Sequence, residues 1–78
     1  MRYRIEITRR PGLSDPEGLT TRQALHDLGY DDVVDVGFGR TIYLDIDATE
    51  NTEARLREMC ERLLANPVIE DFDIQAVG

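Results

Sequence analysis

The residues of this sequence with types suited to chemistry are few: a lone Cys60, a lone His26, the basic pair Arg9-Arg10 ahead of Gly12, the run Gly37-Phe38-Gly39, and the carboxylate pairs Asp45 with Asp47 and Asp71 with Asp73. Arg9, Arg10 and Gly12 fall between a strand pattern and a helix start, where guanidinium and backbone N–H groups can converge on a phosphate. Asp15 and Glu17 stand at the same helix start and already meet its capping and dipole demand. A plain connector is the favoured reading, with an anion-binding or acylphosphatase-like domain using the Arg9/Arg10 loop as the alternative. Gly37-Phe38-Gly39 precedes a strand, whereas a phosphate loop opens a helix, so a hairpin turn is expected there. Cys60 shares a helical stripe with Leu56 and Leu63 and reads as a protonated core thiol. His26 has Asp27 and Arg22 nearby but no Ser or Cys to activate, and reads as a solvated helix residue. Aspartates at i, i+2 more often guard strand edges than bind a cation. Tyr3 and Tyr43 lack the basic, glycine-rich surroundings of an RNA-binding sheet. No catalytic, cofactor-binding or metal-ligating residue is therefore assigned.

Composition narrows the class further. A chain of 78 residues holds one domain, 1–78, with a small core. Domains of this size are commonly reinforced by disulfides, a metal or association. One cysteine makes no internal bridge, and one histidine with one cysteine makes no zinc site, so association is what remains. The net charge of −7 opposes nucleic-acid binding. Residues 1–10 alternate charged and apolar side chains where a signal peptide needs an apolar run. No membrane partner and a cytoplasmic location are expected, in keeping with a free thiol in a reducing compartment.

The elements that position these residues are punctuated clearly. Tyr3, Ile5 and Ile7 alternate with Arg4, Glu6 and Thr8, the period of a half-buried strand. Asp15-Pro16 predicts an N-cap followed by proline in the first turn, Ala24, Leu25 and Leu28 a helical stripe, and Gly29 its end. "VVDVGFGRTIYLDID" predicts two strands joined by a turn near Gly39-Arg40, in a register the sequence leaves open. An odd-length loop puts Val34, Val36 and Phe38 on the helix side with Ile42, Leu44 and Ile46. A two-residue loop sends Val34, Val36, Phe38 and Tyr43 to the far side, as an apolar patch that wants a partner chain. A second helix over about 52–65 aligns Leu56, Met59, Cys60, Leu63 and Leu64, with Glu53, Arg57 and Glu61 and the pair Glu58–Arg62 outside. Asn66-Pro67 ends it, and 68–77 alternates again, with Phe72, Ile74 and Ala76 on one side. The order β-α-β-β-α-β predicts a two-layer α+β domain of ferredoxin-like plan: a four-stranded, mainly antiparallel sheet with two helices on one face.

The segments "RPGLSDPEG", "ALHDLGYDDV", "GRTIYLDID" and above all "EMCERLLANPVIEDFDI" closely resemble the PurS family, the small subunit of phosphoribosylformylglycinamidine synthase. The likeness spans nearly the whole chain; arginine replaces a common lysine at Arg10 and Arg40, and Phe72 a common tyrosine. The resemblance implies a non-catalytic assembly subunit in de novo purine biosynthesis, within a complex that uses ATP, magnesium and glutamine. Its implied partners are a large synthetase subunit, a glutaminase subunit and itself, as a homodimer or tetramer, arranged so that ammonia passes between the two active sites. The expected interface comprises Val68, Ile69, Glu70, Asp71, Phe72 and Ile74, together with Tyr43 on the hairpin, because an alternating exposed edge in so small a domain invites pairing.

Overall fold

The computed structural model of the chain describes residues 1–47 and 50–78. In order, its elements are β1 (Arg2–Arg9), α1 (Pro16–Asp27), β2 (Gly39–Asp45), α2 (Thr52–Met59) continued by a π-helical turn (Cys60–Leu64), and β3 (Glu70–Val77). The strands form one antiparallel sheet, ordered β2-β1-β3. The α+β class is as expected; among the described residues the sheet has three strands, not four.

The missing strand is 33–38, which joins no ladder among the described residues, and no hairpin forms at Gly39-Arg40, since both residues lie inside β2. A tight hairpin turn needs a positive φ at its glycine, and the glycines with positive φ here are Gly12 and Gly29. Gly39 serves a different purpose: it pairs with Thr8, and a Cβ on it would lie 2.7 Å from the Ile7 carbonyl oxygen. The glycine lets β2 approach β1 closely, and the chain runs straight on through it.

Register places the core. Ile5 lies between Ile42 and Ile74, Tyr3 between Leu44 and Ala76, and Ile7 between Arg40 and Phe72. On this face Ile5, Ile7, Cys60 and Ala65 form the buried cluster, flanked by Ile42, Leu44, Leu64, Phe72 and Ile74. Leu56 of α2 is fully buried. Alternation sends Arg2, Arg4, Glu6, Tyr43, Asp73 and Gln75 to the opposite, uncovered face.

The second helix departs from its expected stripe at its last turn. The Ala65 N–H donates to the Cys60 carbonyl at 2.9 Å, an i to i+5 bond. The extra residue in this turn directs Leu64 and Ala65 to the core and turns Leu63 outward, 82% exposed. Beyond it, 66–69 is a turn, and β3 starts two residues later than the alternation beginning at Val68 implied.

Helix α1 has the ends its sequence predicts. Asp15 caps it by accepting from the Gly18 N–H at 2.9 Å, with Pro16 in the first turn. Gly29, at φ 100°, closes it, and the Tyr30 N–H reaches the Leu25 carbonyl at 3.0 Å. Its placement is not the expected one. Gly18 is its only buried residue, and Leu28 is 74% exposed, so α1 does not cover the sheet. It lies along 33–38 instead. A Cβ on Gly18 would collide with the Val36 carbonyl oxygen, His26 Nε2 sits 2.8 Å from the Val33 carbonyl, and the Phe38 N–H donates to Asp15 at 2.8 Å. From Asp15 to His26 a helix rises about 16 Å, and 33 to 38 covers about the same only if fully extended. The 33–38 arm is thus a strand in conformation without a strand partner, and the molecule measures 51 × 27 × 14 Å.

Candidate functional site: assembly surfaces

The expected interface residues do not form one patch. With β1 in the centre, Tyr43 on β2 and Glu70–Ile74 on β3 occupy opposite edges of the sheet. Tyr43 is exposed on the uncovered face, with the Arg2 guanidinium 4.9 Å from its ring centre. Phe72 and Ile74 are half-buried against the core, and Arg57 lies over the Phe72 ring at 5.5 Å. Asp71 is exposed beside Arg10, 3.3 Å away. Val68 is 76% exposed at the tip of the turn.

Ile69 and Glu70 are tied into the protomer. The Ile69 carbonyl accepts from the Arg10 N–H at 2.8 Å. Glu70 accepts from both Arg40 Nη atoms at 2.7 and 3.1 Å and from the Asn66 N–H at 2.8 Å. Arg40 Nη2 also donates to the Leu64 carbonyl at 2.8 Å. One fork therefore joins β2, the end of the second helix and the start of β3. The Arg40 hydrogen bonds, then the Asn66 amide, hold the Glu70 carboxyl below the ordinary carboxylate range. Sequence reasoning missed this role of Arg40, whose partners are 24 and 30 residues away along the chain.

A second clip holds the arm. The Asp15 carboxylate accepts from the Phe38 N–H and the Gly18 N–H, which lower its pKa in that order of effect. His26 is half-buried and clips the Val33 carbonyl rather than standing free in solvent; beside a carbonyl its Nε2 must carry the proton. Cys60 is fully buried, and desolvation raises its thiol pKa.

The Arg9/Arg10 loop borders a hollow of about 430 Å³. Asp15 and Asp35 line it too, Arg10 is engaged with Asp71, and the first amides of α1 are already served by Asp15. This arrangement does not favour an anion, and the phosphatase-like alternative is not supported. Among the described residues no group of three or more His, Cys, Asp or Glu side chains is gathered as a metal ligand set. No helix among them is long and apolar enough to cross a membrane.

Apolar exposure collects elsewhere. A groove of about 450 Å³ runs beside β2 between Leu44, Met59, Leu63 and Leu64. On the arm, Val34 is 82% and Phe38 42% exposed. The PurS family model, described as phosphoribosylformylglycinamidine (FGAM) synthase, matches residues 2–78. The chain belongs to the PurS family. It is 42% identical over 72 residues to the PurS subunit of Archaeoglobus fulgidus, covering 90% of each chain. Its fold is similar to the crystal structure of Bacillus subtilis PurS, with a TM-score of 0.89 at 33% identity, covering 95% of this chain and 94% of that one. It is also similar to a chain in the structure of PurLQS from Thermotoga maritima, with a TM-score of 0.79 at 26% identity, covering 97% and 95%. As a PurS chain it is a subunit of phosphoribosylformylglycinamidine synthase, the ATP-dependent, glutamine-hydrolysing ligase of purine biosynthesis, and is itself the non-catalytic one.

Proposed function

We propose that this PurS chain is the assembly subunit that joins the ATP-dependent synthetase to the glutaminase, so that ammonia released from glutamine reaches formylglycinamide ribonucleotide without escaping to solvent. The carrying observation is its likeness, along nearly its whole length, to a chain of the PurLQS structure. Its partners in this reading are the large synthetase subunit, the glutaminase subunit and further copies of itself in the cytoplasm. ATP, magnesium and glutamine are bound by the other subunits. The arm and α1, which stand clear of the sheet with apolar residues exposed, support the self-association. Val68, Asp71 and Tyr43, exposed on opposite edges, are the surfaces proposed to meet the catalytic subunits.

Reconstitution from the three purified subunits tests this reading. Glutamine-dependent amidine formation is expected to collapse when this chain is left out, while ammonia-dependent formation by the synthetase persists. Glutamine-dependent turnover that is unchanged without the chain refutes it.

A further inference from the structure

A hollow of about 510 Å³ lies between the second helix and the turn 66–69, with Phe72, Pro67 and Glu61 in its lining. It is on the β3 side of the sheet, across β1 from the groove beside β2. Of the charged groups around it, Arg10 and Asp71 pair with each other at 3.3 Å, and Glu70 is held by Arg40. Arg57 is left over. Helical spacing offers it Glu53 and Glu61 as partners, yet it forms no ion pair among the described residues and lies over the Phe72 ring instead. A guanidinium over a ring has its face engaged, while its five N–H donors, set around its edge, stay free.

The lip of the hollow is stiff. The Asn66 side chain accepts from the Val68 N–H at 3.1 Å, and the Asn66 carbonyl accepts from the Ile69 and Glu70 N–H groups at 3.1 and 2.8 Å. The Asn66 N–H is itself bound to the Glu70 carboxylate, and Pro67 has no N–H to satisfy. Every amide of the turn is therefore served from within it. At its tip stands a β-branched Val68, 76% exposed, where turns ordinarily place Gly, Asn, Asp or Ser. A tip already fixed in one conformation has little freedom to lose when another chain covers it.

We infer that this hollow receives a surface segment of the large synthetase subunit in which one Asp or Glu stands beside an apolar side chain. The carboxylate accepts two N–H bonds from the Arg57 fork, and the apolar side chain packs on Phe72, Pro67 and Val68. Glu61 on the rim and the net charge of −7 select a single carboxylate over an acidic run. The protruding lip needs a concave seat. Clefts form preferentially at domain boundaries, and long chains are the ones divided into domains, so the large subunit fits better than the glutaminase. The inference rests on the bridging role just proposed and names the surface and the chemistry of one of its two contacts.

The reconstituted three-subunit synthase tests it through the concentration of this chain that half-saturates glutamine-dependent amidine formation. Arg57→Gln is expected to raise that concentration about thirtyfold or more, with the urea midpoint of the variant showing that it is folded. Arg62→Gln, on the same helix but paired with Glu58 at the groove beside β2, is the control and is expected to shift it by no more than about twofold. Equal shifts for the two variants, or none for Arg57→Gln, overturn the site.

A photo-cross-link identifies the occupant. Val68→Cys takes a benzophenone maleimide at an exposed position, while Cys60 is buried and adds no background. Irradiation of the assembled synthase is expected to join the label to the synthetase subunit, at a peptide that contains an acidic residue. A link to the glutaminase or to a second copy of this chain overturns the assignment. The bridging role is read separately: if omission of the chain abolishes glutamine-dependent turnover while Arg57→Gln supports it at the normal concentration, this site fails and the bridge stands.

Discussion

The two helices of this small protein live by different rules. The second helix is part of the core: Leu56 and Cys60 are fully buried, Leu64 and Ala65 close its end, and Arg40 fastens that end to two strands. Helix α1 is the better capped of the two, with the Asp15 side chain at its start where the second helix has no side-chain cap, but it touches the rest of its own chain chiefly through the backbone of the arm and leaves Leu19 and its C-cap Leu28 exposed. Good helix ends and an apolar stripe thus establish that a helix forms, but not what it packs against. In this protein the half that builds the core and the half that leaves apolar side chains exposed are distinct.

The largest expected effect breaks the comparison from the core side. Leu56→Ala removes a fully buried side chain and is expected to cost about 2–5 kcal/mol, read as a large fall in the urea midpoint. Leu28→Ala at the C-cap of α1 is expected to change the stability of the chain by under about 0.5 kcal/mol. Equal losses at the two sites would erase the distinction. Next comes Gly18→Ala, which gains about 1 kcal/mol of helix propensity but places a Cβ 2.0 Å from the Val36 carbonyl oxygen. The clash prevails, with a net loss of about 1–3 kcal/mol, and faster amide exchange at Phe38 is the sign that α1 has left the arm.

Smaller and dependent on pH are the two carboxylate clips. Asp15 and Glu70 have ordinary values of 3.8 and 4.5, and hydrogen bonds lower both in the folded state. Their contribution is therefore complete above those values and is lost as pH falls through the lowered ones. Between about pH 5 and about pH 3 the native chain is expected to lose more stability than Glu70→Gln does; parallel curves would remove Glu70 from the account. The smallest effect is at Leu63→Ala, expected within about 0.5 kcal/mol for the protomer despite its place in the apolar repeat. A loss as large as that at Leu56 would mean the π-helical turn does not exist in solution.

Much of this architecture was legible from sequence alone. Alternation fixed β1 and the inward face of β3, Asp15-Pro16 and Gly29 set the ends of α1, and Cys60 belonged to the core, because each signal acts within a few residues. What escaped depends on contacts distant along the chain. Gly39 looks the same whether it bends the backbone or admits the Ile7 carbonyl, and only the pairing with β1 decides. Leu63 fits a regular helical repeat until one turn widens. Tyr43 and Ile74 are both interface candidates by their pattern, and nothing in the linear order shows that β1 lies between them.

The widened turn after Met59 also makes this region intolerant of changes in length. By taking one more residue than an α-helical turn, it delivers the Leu64 carbonyl to Arg40 and starts the Asn66 loop at the distance Glu70 requires. Deleting any one of residues 60–64 would leave a respectable helix whose last carbonyl points elsewhere, and the strand behind it would begin out of step.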